Sequence, residues 1–395
     1  MRTSTLTLSK RTLATTLSLL LAFSLLGMAP TAYAAEGDET PPATEEQPVQ
    51  PGDSTEPEEP EKPVVEKAPK PLAFKNTEVA KALGAKAFTN KLIKQKSVKG
   101  KLTYTSSNKK VATVSAKGTV TVKGIGSTTI KVKSKAVKGS PAQSAKYTLT
   151  VNPKATSISK IQGAVKGFSV TWKALSTTHA DGYQIRYAPT KAMTDAKKVT
   201  VKKAASTFQL VTGLKNGKKY YVQVRAYKKA KGKTYYGAWS KAKAVKAGLN
   251  SGDAELDAII GKMLSSKKLK NGSSDKRLRA CFNYVAKMRY IRTYENPKGN
   301  WSVPFAKEMY KNNGGNCYRY AALFCWLARG LGYDAKAVKG SVPSRSQGRA
   351  PHGWVEIKIA GKTKICDPEM VHVLRGFNLY MMTYKSAPMS YRKSK

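Results

Sequence analysis

Residues 314–340 read GGNCYRYAALFCWLARGLGYDAKAVKG. Gly314-Gly315 is a breaker pair, and Asn316 is a favoured helix N-cap. Cys317 is then the first helical residue, and the helix runs to about Gly330, with Arg329 in its last turn and Gly332 just past it. Its apolar positions, Ala321, Ala322, Leu323, Phe324, Trp326, Leu327 and Leu331, occupy nearly the whole circumference. A helix apolar all round is buried on every side. The stretch therefore predicts a central helix with a cysteine at its N-terminus. Partial positive charge at a helix start favours thiolate over thiol. The competing reading of the same cysteine is a small buried hydrophobe.

The residues downstream weigh on that choice. Residues 352–368, HGWVEIKIAGKTKICDP, read as a hairpin around Ala360-Gly361-Lys362. His352, Trp354 and Glu356 share one face, and with a two-residue turn Ile365 and Asp367 join it. A turn at Ala360-Gly361 puts Trp354 opposite Asp367 and His352 diagonal to it, within side-chain reach. A turn at Gly361-Lys362 keeps the face but separates the pair. A histidine and a carboxylate on one sheet face, met by a helix-start cysteine, supply nucleophile, proton shuttle and orienting acid.

Upstream, Leu256, Ile259, Ile260, Met263 and Leu264 have helical spacing, and Leu278, Cys281, Phe282, Val285 and Met288 continue with a second helix. With these, the quoted stretches resemble a transglutaminase-like domain of the papain-like cysteine superfamily. The resemblance covers roughly residues 275–370 and includes CFNYVAKMRY and Ala306 to Tyr310. It implies Cys317 as nucleophile, His352 as general base and acid, and Asp367 as the residue orienting the imidazole. Trp354 would pack beside the site, limit water and contribute to substrate binding. Gly353 departs from the alanine usual after the histidine, and Cys366 precedes the aspartate. The resemblance implies no cofactor, and no Cys/His spacing suggests a metal. His372 reads as structural, and His179 lies in a loop. Cys281, Cys325 and Cys366 remain, either as one disulfide and a free thiol or as three buried thiols.

The chain has 395 residues and 71 Lys+Arg against 24 Asp+Glu. Arg2, Lys10 and Arg11 precede an apolar stretch from Leu13 to about Met28 and a small-x-small site at Ala32-Tyr33-Ala34. That is the layout of a secretory signal peptide over residues 1–34, cut after about Ala34. Residues 35–70 carry 11 of the 24 acids among prolines and read as a disordered acidic linker. From residue 67 onward, 67 basic residues face 13 acids. Outside a cell, that charge points to anionic wall polymers or acidic glycans rather than a specific nucleic acid.

Residues 71–153 alternate at period two, as in Val120 and Val122 or Ile130 and Val132, with turns at Lys117-Gly118 and Gly124 to Gly126. Short strands with regular turns predict a sandwich. YTSSNKKVATVSAKGTVTVKGIGSTTIKV resembles a group 2 bacterial Ig-like domain. Residues 154–249 also read as β, with Trp172 on a buried strand; GLKNGKKYYVQVRAY and GAWSKAKAVK resemble a fibronectin type III domain. Tyr220 would be its corner tyrosine, bonding through its hydroxyl to upstream backbone. Residues 71–249 hold 36 Lys and 2 Arg against three acids, which serves sheet-edge protection or attachment to an anionic envelope.

The expected architecture is multidomain: two all-β sandwich spacers, Ig-like and fibronectin type III, then an α+β papain-like transglutaminase core over residues 250–395. The expected function is an exported envelope enzyme that forms a thioester at Cys317 and hydrolyses a peptide or isopeptide bond of a protein or peptide acyl donor. Protein transamidation and a non-catalytic surface-binding role are the alternatives.

Overall fold

The computed structural model describes residues 71–394 apart from 95, 97, 296 and 347. The export segment and acidic linker read at 1–34 and 35–70 lie outside the described residues. Three hydrophobic cores organise the rest.

The first core lies in a β-sandwich. One sheet orders Glu78–Ala82, Ser144–Asn152, Gly126–Ser134 and Leu102–Ser106; the other orders Phe88–Thr89, Thr119–Val122 and Ala112–Val114. The period-two positions point inward as their alternation requires: Val120, Ile130, Val132, Leu149 and Val151 are all buried. The intervening lysines, such as Lys131 and Lys133, lie on the other face of their strand.

A second sandwich packs Phe168, Val170, Trp172, Tyr183, Ile185, Val222 and Val224 between a three-stranded and a five-stranded sheet. Trp172 is buried on Gly167–Trp172, as expected. The tyrosine contact differs from expectation. Tyr220 packs its ring against Phe168 and Tyr187. No hydroxyl bond from it appears among the described residues, whereas the Leu175 N–H donates to the Tyr183 hydroxyl at 2.7 Å. Aromatic packing, not a hydroxyl tether, holds Tyr220.

The C-terminal domain begins with four helices: α1 (Ala254–Ser265), α2 (Ser274–Ala286), α3 (Ser302–Asn312) and α4 (Cys317–Gly330). Asp253 and Ser273 cap α1 and α2 by accepting from Leu256 and Lys276 N–H groups. A sheet follows, in the order Lys362–Cys366, Gly348–Ile359, Asp334–Ser344 and Arg392–Lys393. Helix α4 packs on that sheet and on the other three helices, so it has no solvent face. Its residues Tyr320 to Phe324, Leu327 and Ala328 are fully buried. Each large apolar side chain so placed contributes about 1.5–3 kcal/mol.

The second sandwich is docked on this domain rather than acting as a free spacer. Ala164 and Leu210 belong to the core of the helical domain. The Val165 N–H donates to Gly330 O at 2.9 Å, at the C-terminal end of α4. Ser169 Oγ donates to Gly332 O at 2.5 Å and Gln162 Nε2 to Tyr333 O at 2.8 Å. Phe208 stacks on Tyr333 with ring centroids 4.7 Å apart and an interplanar angle of 16°. The last carbonyl of α4, Gly330 O, and two carbonyls just past the helix are thereby bonded by the neighbouring sandwich.

Gly332 is the hinge of this contact. Its φ is +79°, and a Cβ there would lie 2.6 Å from Ser169 Cβ. Gly332→Ala therefore combines left-handed strain with a steric clash, and is expected to cost about 1–3 kcal/mol. Urea unfolding checks this. A midpoint unchanged from wild type would mean that the docking does not depend on this close approach.

Candidate active site

The site starts from the N-terminus of α4. Asn316 caps it, its Oδ1 accepting from the Arg319 N–H at 3.3 Å. The same side chain donates through Nδ2 to Thr293 Oγ1 at 2.9 Å. Arg319, buried in the first turn, forms a two-pronged pair with Glu295 at 2.8 Å on each arm and donates through Nε to Glu308 at 2.9 Å. Arg289-Tyr290 pairs in parallel with Gly314-Gly315. Three polar clamps and a short ladder thus fix the backbone that presents Cys317.

The hairpin supplies the other two groups. Ala360 has φ +50° and Gly361 φ +75°, so both central residues are left-handed, as a two-residue type I′ turn demands. This is the first of the two registers open in the sequence. Pairing runs from Ile359 with Lys362 to Val355 with Cys366. Continued, it sets Trp354 opposite Asp367 and His352 diagonal. The diagonal contact closes: His352 Nε2 lies 2.7 Å from Asp367 Oδ2.

Asp367 is fully buried, so every oxygen needs a partner. Oδ2 also accepts from the Tyr391 hydroxyl at 2.8 Å, and Oδ1 accepts from the Met370 N–H at 3.3 Å. These contacts hold the carboxyl group in place against the imidazole. Burial alone would lower the pKa of His352; the Asp367 charge and hydrogen bond, with the adjacent Cys317 side chain, outweigh it and hold the imidazole well above its ordinary value. The structure thus brings the three sequence-derived residues, Cys317, His352 and Asp367, into one cluster.

Glu369 was not singled out in the sequence. Its Oε2 lies 3.9 Å from the other imidazole nitrogen, Nδ1. Burial raises its pKa, against the opposing influence of His352 and His372. It lines a pocket of about 560 Å³ with Met288, Tyr290, Tyr320, His372 and Val373. His372 hydrogen-bonds the Ala286 carbonyl, which anchors the segment after Asp367 to the end of α2. His352, Asp367 and Glu369 bring donor atoms within 4.8 Å of one another, a spacing that could surround a cation. The hydrogen bonds already made by Asp367 describe an orienting network instead.

Trp354 packs beside the site, as expected, and is fully buried, with no indole surface open to solvent. It packs edge-on against Tyr391, centroids 5.1 Å apart, and donates through Nε1 to the Tyr384 hydroxyl at 3.0 Å. It backs the site through these two tyrosines. Gly353 also has a local reason. A Cβ there would lie 2.7 Å from Tyr318 Cδ1 and 3.4 Å from Cys317 O. The bulky Tyr318 beside Cys317 takes the space an alanine would need.

All four cysteines are free thiols. Burial pushes Cys281 and Cys366 up to about 12 and Cys325 up to about 11, so these three stay protonated and enclosed. Cys317 alone is partly exposed. Iodoacetamide applied to the native protein at pH 7 should therefore modify Cys317 first, by at least about tenfold over the others, with the other three reacting on unfolding. Peptide mass mapping reads this directly. Equal labelling of Cys317 and Cys325 would contradict the burial pattern.

Comparison with known proteins gives three matched segments. Residues 263–365 match the transglutaminase-like superfamily, residues 90–136 the intimin immunoglobulin-like domain, and residues 152–241 the fibronectin type III domain. The first match contains Cys317 and His352 and ends two residues before Asp367. The chain is thus a β-rich region of Ig-like and fibronectin type III domains followed by an α+β transglutaminase-like region. No curated protein matches it. Among solved structures, one described as a myokine structure is 16% identical over 24% of this chain and 96% of its own, with a TM-score of 0.21. The FN1–FN3 domains of chicken CNTN1 are 20% identical over 46% of this chain, with a TM-score of 0.22. The chain spans 65% of that chicken fragment.

Proposed function

We propose that the C-terminal domain is a cysteine acyl-transfer enzyme with Cys317 as nucleophile, acting on a peptide or isopeptide bond. One observation carries this reading: a partly exposed cysteine at the start of a buried helix stands beside an imidazole that a fully buried carboxylate holds at 2.7 Å.

The chemistry follows from the parts. Cys317 Sγ attacks an acyl carbonyl, and the imidazolium of His352 returns its proton to the leaving amine, leaving a thioester. The Cys317 N–H, at the first helical position, has no intrahelical acceptor and is free to stabilise the oxyanion. Water, activated by the now neutral imidazole, hydrolyses the thioester and restores the thiol. An amine in place of water gives transamidation from the same intermediate.

The placement of the enzyme is part of the proposal. The apolar N-terminal stretch and Ala32-Tyr33-Ala34 support export, and Ig-like and fibronectin type III domains are common in extracellular proteins. Among the described residues no helix is long and apolar enough to cross a membrane. The 36 lysines of residues 71–249 would hold the enzyme electrostatically against anionic wall polymers or acidic glycans.

Iodoacetate tests the thiolate–imidazolium pair without a known substrate. The anionic reagent reacts fastest when the thiol is ionised and the imidazolium still protonated, so the rate is bell-shaped in pH. His352→Ala should abolish the bell and slow modification at pH 6.5 by at least about tenfold. Asp367→Asn removes the main group that raises His352, so the alkaline limb should move to lower pH. A wild-type profile with no alkaline limb, unaffected by His352→Ala, would sink the enzyme reading and leave the surface-binding role.

A further inference from the structure

The last strand, Arg392–Lys393, closes the sheet from outside the segment that matches the transglutaminase-like superfamily. It pairs antiparallel with Asp334–Ser344, Arg392 against Ser341 and Lys393 against Gly340. Its position is fixed several times over. Arg349 donates through Nη2 to Ser390 O at 2.9 Å, Lys393 Nζ pairs with Glu356 Oε1 at 2.6 Å, and the Ser394 N–H donates to Lys339 O at 3.1 Å. That frame delivers one side chain inward, Tyr391, which is buried.

The Tyr391 hydroxyl donates to Asp367 Oδ2, the same oxygen that faces His352 Nε2. Its ring lies 6.3 Å from the imidazole and packs against Trp354. Trp354 is tied through the Tyr384 hydroxyl to Glu356, at 2.6 Å, and so back to Lys393. The carboxylate therefore cannot rotate to offer a different oxygen without losing the tyrosine bond, and the tyrosine cannot leave without displacing the strand.

We propose that Tyr391 is a positioning residue of the Cys317–His352–Asp367 site, and that the C-terminal strand is a strap that completes the site by holding the orienting carboxylate. This inference rests on the enzyme reading above. A phenol stays protonated here because burial and the neighbouring Asp367 both oppose its ionisation. It thus donates throughout the working range and shares the carboxylate's negative charge with the imidazolium. The groups that face this cluster are Cys317 from α4, His352 from its strand, Asp367 and Glu369 after the hairpin, and Tyr384 beside the strap. None replaces the hydroxyl at Oδ2.

The test is Tyr391→Phe in the full chain, which keeps the ring and removes one oxygen. Without the donor, the carboxylate binds the imidazolium more strongly, so the alkaline limb of the iodoacetate profile should move up by roughly half a pH unit. That is opposite in direction to Asp367→Asn. Leu256→Ala, at a fully buried position of α1, serves as the stability control: it should lower the unfolding midpoint without moving the limb. A Tyr391→Phe protein that is only less stable, with the wild-type limb, would overturn the proposal and make Tyr391 a packing residue. If wild type shows no limb dependent on His352, the enzyme reading itself has failed, and with it the premise of this inference.

Discussion

A carboxyl group with no access to water governs the C-terminal domain. Asp367 is fully buried, and a lone charge there would cost several kcal/mol. The fold offsets that cost with three donors: an imidazole, a phenol and a backbone amide. Each donor comes from a different piece of chain, so satisfying one carboxylate ties together the His352 strand, the turn after the hairpin and the C-terminal strand. Removing one partner from such a buried pair typically costs about 3–5 kcal/mol. The architecture of the site and the stability of the domain are therefore the same set of bonds.

A second constraint runs along α4. Its N-terminus must present Cys317 toward His352, and its C-terminus must hide carbonyls that no helical donor can reach. The first end is fixed by Asn316, Arg319 and their partners in residues 293–308. The other end is fixed by the second sandwich through Val165, Ser169 and Gln162. A domain whose type carries no chemistry of its own thus contributes to the rigidity of the helix that bears Cys317.

Much of this was legible locally. The helix Cys317–Gly330 and its Asn316 cap follow from apolar periodicity and a breaker pair within one short stretch. The hairpin face followed from period-two alternation, but the register did not. Ala360 is a poor residue for φ +50°, so the turn chemistry left Ala360-Gly361 and Gly361-Lys362 both open. Tertiary pairing chose between them. Glu369 and Tyr391 were missed for a different reason. Nothing in a carboxylate two residues past Asp367, or a tyrosine in a basic tail, marks it as facing an imidazole. Long-range partners of this kind leave no periodic signal. The same holds for Glu295 and Glu308 with Arg319, and for the packing of Trp354 on Tyr391.

The order of contacts along the chain also says how the site comes together. His352 and Asp367 are 15 residues apart on one two-residue hairpin, a low-cost loop to close. Tyr391 follows Asp367 by 24 residues and arrives only when the last strand pairs. Cys317 lies on a helix whose placement needs the whole core. The imidazole–carboxylate pair is thus the local element, and the thiol and the hydroxyl are the global ones. The thiol meets its imidazole only after the core has closed. The three other cysteines enter the same core as protonated, enclosed groups. The physical distinction between one partly exposed thiol and three enclosed ones is therefore a consequence of where the helix starts.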